Sequence, residues 1–155
     1  MGTRATVGYK GTLIDEGIVI GTYIHYDGYP DHTLVQLVEI IKRDGMDTAL
    51  DTIVHGARGW SSLDSNARYE EEGYGEAYDD MSYPYEAVSV NDKGFAPDLF
   101  NRADADWSYV VDAEQNLIHV WECSWGRWHH VFDLNLDEVA DMDAEKLRKS
   151  MLRYA

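Results

Sequence analysis

Several groups of side chains in this sequence have types and spacings that could do chemistry. His25, Asp27, Asp31 and His32 fall within eight residues, and imidazole with carboxylate is a ligand set for zinc or another divalent ion. Neither an HExxH pattern nor paired cysteines accompany them, and a strand end does not put His25 and Asp27 on a shared helix face. The simpler expectation is a hydrogen-bonded turn in which Asp31 caps the helix that follows. The same turn carries a second reading. A helix N-terminus presents free N–H groups to an anion, and Tyr26 and Tyr29 could stack on a ring. A small nucleotide-like ligand held by His25, Tyr26, Asp27, Tyr29 and His32 is therefore an alternative function, although Asp27 and Asp31 would oppose a phosphate.

His129 and His130 also invite a metal, but adjacent strand residues point to opposite faces. One histidine is expected inward and one outward. Cys123 with His119 and Glu122 suggests a thiol site, yet a single cysteine beside Trp121 and Trp125 reads as packing. Ser61, Ser62 and Asp64 lack the setting of a nucleophile elbow. No catalytic set passes a spacing test. The expectation is a non-enzymatic protein with no catalytic residues, no metal and no cofactor.

The elements that must position these residues follow from periodicity and turn chemistry. Thr3–Lys10 and Ile18–Tyr26 read as an antiparallel hairpin, reversing at Asp15-Glu16-Gly17. Asp27-Gly28-Tyr29-Pro30 breaks the second strand, with Gly28 expected to supply a positive φ. Leu34, Val35, Leu37, Val38 and Ile41 recur at helical spacing, with Lys42 and Arg43 in the last turn and Gly45 closing the helix. Asp47 can cap a second helix from Thr48 to about His55. Trp107–Asp112 and Leu117–Cys123 form a hairpin around Ala113-Glu114-Gln115-Asn116, and Trp128–Asp133 adds a strand. A last helix, capped by Asp141 or Asp143, runs through Tyr154. The sum is an α+β fold: a mostly antiparallel sheet of about five or six strands with two or three helices packed on one face.

The chain's 155 residues make one domain's length, 1–155, with an acidic, Tyr-rich insertion at about 66–106 and a C-terminal helix at about 143–154. Lys and Arg number 13 against 29 Asp and Glu, a net charge of −16. That excludes bare nucleic acid and an anionic membrane surface as partners, because both are held by clustered basic residues. One cysteine forms no intrachain disulfide framework. Without a signal-peptide pattern or a long apolar run, a cytoplasmic setting is expected.

Residues 70–106 hold 11 acids against Lys93 and Arg102. Carboxylates fixed on a surface can imitate nucleic-acid phosphates, which follow one another every ~1.7 Å along duplex DNA. Glu70, Glu71, Glu72, Glu76, Asp79 and Asp80, with Tyr74 and Tyr78 as aromatic anchors, are the expected partner-binding residues. Tyr83–Val90 could add a strand. Of Trp107, Trp121, Trp125 and Trp128, most are expected in the packing, with one or two surfacing as interface anchors.

The run Ile24-His25-Tyr26-Asp27-Gly28-Tyr29-Pro30, after Thr3-Arg4-Ala5-Thr6-Val7 and before an apolar helix, resembles small bacteriophage and bacterial proteins. Their signature is His-Trp-Asp-Gly-Tyr-Pro following an N-terminal hairpin, with Tyr26 here in the Trp position. The hairpin at Trp107-Ser108-Tyr109-Val110 and the Trp128 strand are similar to that family's C-terminal half. The resemblance covers about 3–56 and 105–133 and implies a phage origin and an α+β fold, without a mechanism. Together these readings lead to an acidic phage-type protein in the host bacterial cytoplasm. Its expected partner is a host protein with a basic surface, nucleic-acid-handling or defence-related, that it inhibits or redirects; a virion component is a further possibility.

Overall fold

The structure is a computed structural model that describes residues 3–10, 18–56, 59–65, 74–75, 87–91, 94–95, 105–125 and 127–154. Its centre is β1 (Ala5–Lys10), flanked by β2 (Ile18–Ile24) and β6 (Trp107–Asp112). Beyond β6 the sheet continues through β7 (Leu117–Ser124) and β8 (Arg127–Asn135). Beyond β2 come β4 (Ala87–Asn91) and the short β5 (Gly94–Phe95), while β3 (Gly59–Trp60) also pairs with β2. Six of these strands have five residues or more, as the strand-rich runs lead one to expect. All ladders are antiparallel except β1–β6 and β2–β3. The sheet is therefore mixed.

Alternation assigns the two faces. Ala5 and Val7, Trp107, Tyr109 and Val111, Ile118 and Val120, and Leu134 are buried in one cluster with the helices, at the period of two that a strand demands. The helical layer contributes Leu34, Val35, Leu37, Val38, Ala49 and Ile53 to the same cluster. It consists of α1 (Val35–Asp44), entered through a π-helical turn at Pro30–Leu34, and α2 (Met46–Leu50), extended by another at Asp51–His55. Near the C-terminus stand α3 (Leu136–Val139) and α4 (Ala144–Met151). Leu147 and Met151 of α4 close the core. Among the described residues no helix is long and apolar enough to cross a membrane.

Local chemistry departs from expectation at three boundaries. Asp31 does not cap the first helix: Tyr29 precedes its first turn, no side chain caps it, and Pro30 takes the first position, where a missing N–H costs nothing. The second helix begins at Met46 directly after Gly45, whose φ of 87° ends α1, so Asp47 lies in its first turn instead of capping it. In the turn between them and β2, Asp27 and not Gly28 takes the left-handed backbone, with φ 57°. Gly28 is needed for another reason. Its N–H donates to the Thr3 carbonyl at 2.8 Å, and a Cβ there would lie 2.9 Å from that of Ala5.

Candidate functional site

The expected ligand turn is taken up by its own hydrogen bonds. The amides of His25 and Tyr26 donate to the carbonyls of Trp60 and Ser61, at 2.9 and 2.7 Å. Thr33 Oγ1 donates to the Asp27 carbonyl at 2.6 Å, and the buried Tyr109 hydroxyl donates to that of Gly28 at 2.5 Å. Burial and the nearby Asp31 charge push the Tyr109 phenol well above its ordinary range, so it stays a donor. His25 Nδ1 meets Tyr23 Oη at 2.8 Å, and burial together with the Arg4 charge lowers its pKa. His32 Nε2 points elsewhere, to Ser62 Oγ at 3.2 Å and the Leu63 carbonyl at 3.1 Å, beside a cavity of about 470 Å³. Tyr26, Asp27 and Tyr29 are exposed. The five residues thus lie along one turn, but the two imidazoles are bonded to different partners.

Of the expected acidic face, Glu70, Glu71, Glu72, Glu76, Tyr78, Asp79 and Asp80 lie outside the described residues. Tyr74 is described, and it is not a surface anchor. It is fully buried, and its hydroxyl donates to Asp44 Oδ2 at 2.7 Å. Arg43 donates to the same carboxylate at 2.8 Å. The Arg43 hydrogen bond, aided by Tyr74 and opposed by burial, holds the Asp44 pKa below the usual carboxylate range. An aromatic ring that pins α1 in this way is part of the fold.

The sheet face opposite the helices carries a constellation that sequence spacing did not bring together. Asp112 ends β6 and His119 sits in β7; because Asp112 pairs with Leu117, His119 lies two residues further along on the same face. Its Nε2 is 3.0 Å from Asp112 Oδ2, and its Nδ1 is 2.7 Å from Oδ1 of Asp133, its partner across β8. His130 Nε2 reaches the same Asp133 oxygen at 2.6 Å. On a regular strand His130 and Asp133, three apart, would point to opposite faces. A bulge prevents that: Val120 pairs with Phe132 and Trp121 with His130, so Val131 is the extra residue. Val131 and Phe132 both pack toward the core, and His130 turns to the other face. The expected inward and outward histidines are thereby corrected, since His129 and His130 are both exposed.

Asp112 anchors the group from beneath. It is 2% exposed and accepts hydrogen bonds from Lys10 Nζ at 3.2 Å, from the Gln115 amide at 3.2 Å and from Gln115 Nε2 at 3.1 Å. Burial pushes its pKa up, but the hydrogen bonds from His119, Gln115 and Lys10, with the Lys10 charge, outweigh that and hold it below the usual range. Asp133 follows the same logic. Burial raises it, and the bonds from His119 and His130 bring it down. Among the described residues, His119, His130 and Asp133 form a set whose ligand atoms all lie within 4.8 Å of one another. Such a set can share protons or hold a cation.

No protein-family model matches this chain, and no curated protein or solved structure matches it either. The site must speak for itself.

One further feature stands at the edge of the same sheet. Ser124 pairs with Arg127, and Trp125 follows the last residue of β7 at this turn. Trp125 has φ 55° and is 100% exposed. Of the tryptophans expected in packing, Trp107 is buried and Trp121 and Trp128 are partly buried. Trp125 is the one that surfaces.

Proposed function

We propose that this protein is a non-enzymatic, acidic binding protein that engages a partner with a basic surface, using Trp125 as its aromatic anchor. The observation that carries this reading is the conformation of Trp125. Two-residue hairpin loops favour asparagine, aspartate or glycine where φ is positive, and a bulky residue there costs about 1–2 kcal/mol. A fully exposed indole recovers none of that cost within the folded chain. Buried in a partner, tryptophan is among the residues that contribute most to binding. The sign of the partner follows from the net charge of −16, which speeds encounter with basic surfaces and repels acidic ones. The narrower form, inhibition of a bacterial nucleic-acid-handling or defence protein, rests on the acids at 70–80 and on the resemblance to phage proteins.

Trp125→Asn tests the reading directly, because asparagine before Gly126 suits the turn. The variant is expected to fold at least as stably as the parent, by about 1 kcal/mol, and to lose its partner. Immobilised parent chain should retain a basic protein from bacterial lysate at low salt and release it at high salt, while Trp125→Asn retains none. Reversing Glu71, Glu72, Asp79 and Asp80 to Lys should also abolish capture if the narrower form holds. Equal capture by parent and Trp125→Asn, or no retained protein in either, would overturn the anchor.

A further inference from the structure

We propose that His119, His130 and Asp133 form a binding site for a divalent first-row metal ion of the zinc class, with water on the remaining position. Two imidazole nitrogens and a carboxylate are the donors that zinc takes in open sites. His119 would ligate through Nδ1, His130 through Nε2 and Asp133 through its carboxylate, the atoms already drawn together across β7 and β8.

The second observation is Asp112. A metal-bound imidazole almost always donates its other N–H to a carboxylate or carbonyl, which fixes the ring and strengthens it as a ligand. His119 Nε2 lies 3.0 Å from Asp112 Oδ2, in a carboxylate that is 2% exposed and locked by Lys10 and Gln115. A solvated surface histidine needs no such support. The Asp112 contact holds the ring by Nε2 and turns Nδ1 toward Asp133 and the cluster.

The donor atoms are within reach of one cation but stand now at hydrogen-bond spacing. Ligand atoms on a tetrahedral zinc, with bonds of about 2.0 Å, lie about 3.3 Å apart. Here the His119–Asp133 and His130–Asp133 separations are 2.7 and 2.6 Å, the spacing of hydrogen bonds. The cation would displace the bridging protons into solvent, and a small rotation of the exposed Asp133 carboxylate opens the contacts. The ligands stand on paired strands, and the Val131 bulge is what puts His130 within reach. The molecule's excess of negative charge favours any cation arriving there.

The test is titration of the full chain, freed of metal by a chelator, with Zn²⁺ alone, followed by calorimetry and native mass spectrometry. One ion per chain is expected, with proton release, and Co²⁺ in its place should give the visible absorption of a four-coordinate nitrogen–oxygen site. His130→Ala changes an exposed side chain and should weaken Zn²⁺ binding about 100-fold, whereas Asp112→Asn, acting only through His119, should weaken it about 10-fold. His25→Ala, at the turn, should leave the affinity unchanged. Nitrogen-15 imidazole spectra should report metal on His119 Nδ1 and His130 Nε2. Absence of stoichiometric binding, or binding that His130→Ala leaves intact in a folded protein, overturns the site.

Discussion

At the scale of single residues, the Asp112 carboxylate carries the clearest energetic consequence. Its folded pKa lies below its ordinary value of about 3.9, so the folded state binds its proton more weakly than the unfolded chain does. The stability it contributes is fully present above about pH 4 and is lost as pH falls through the folded value. Asp133 acts in the same direction. Thermal melts should therefore fall below about pH 4, beneath a shallower decline that begins near pH 6.5, where the lowered pKa of His25 makes the unfolded chain bind the proton first. Asp112→Asn should cost about 1–3 kcal/mol at pH 7, because Lys10 and His119 lose an ionised acceptor, and it should flatten the acid limb. An acid limb identical in variant and parent would mean that the hydrogen bonds, and not the charge, do the stabilising. Part of this network could be read in the sequence: a four-residue turn after Asp112 places His119 on its face. The contribution of His130 could not, because strict alternation assigns it to the other face and only the Val131 bulge reverses that. Gly28 was also legible as indispensable, but for backbone freedom instead of the close approach to Thr3 and Ala5 that the structure displays.

Among the elements, local signals predicted what local chemistry decides. The hairpins β1–β2 and β6–β7, the strand β8 and the end of α1 at Gly45 all follow from runs and turns within about thirty residues. The parallel pairing of β1 with β6 does not, since it joins residues as far apart as Thr6 and Ser108, whose hydroxyls meet at 2.8 Å. Nor does α3, whose four residues are too few for periodicity and whose start is set by Asn135, accepting from the amides of Asp137 and Glu138. Capping divides the helices in a testable way. Asp143 accepts from the Lys146 amide at 2.8 Å, whereas Asp31 makes no such bond at the first helix. Asp143→Ala should therefore destabilise the fold by about 1 kcal/mol, in the usual range for a lost cap. In native-state hydrogen exchange the amides of the C-terminal helix should lose more protection than the amides that exchange by global unfolding. An equal loss of protection over α1 and α4 would show that the cap holds more than its own helix.

At the scale of the whole molecule, the charge excess sets opposing demands on folding and on binding. With 13 basic side chains against 29 acidic ones, compaction brings like charges together, and this self-repulsion is screened by salt. Against it stand the ion pairs, which salt also weakens. Among the described residues, Lys42–Glu39, Arg43–Asp44 and Arg148–Glu145 lie toward the surface, where such pairs contribute from nothing to about 1 kcal/mol. Of the described lysine and arginine pairs, Lys10–Asp112 has the most sheltered carboxylate, only 3% exposed, and buried groups are screened least. Repulsion therefore outweighs attraction, and the melting temperature should rise as NaCl is raised from about 20 mM to about 500 mM, where the screening length contracts from roughly 20 Å to roughly 4 Å. Chloride is the right salt for this, because sulfate stabilises folded proteins through exclusion whatever their charge. A melting temperature that falls over the same range would place the ion pairs above the repulsion. The partner proposed for Trp125 must respond with the opposite sign, since the attraction that recruits a basic surface is screened by the same ions. A protein that becomes more stable and binds less tightly as salt rises has its charge arranged for a partner and not for its own fold.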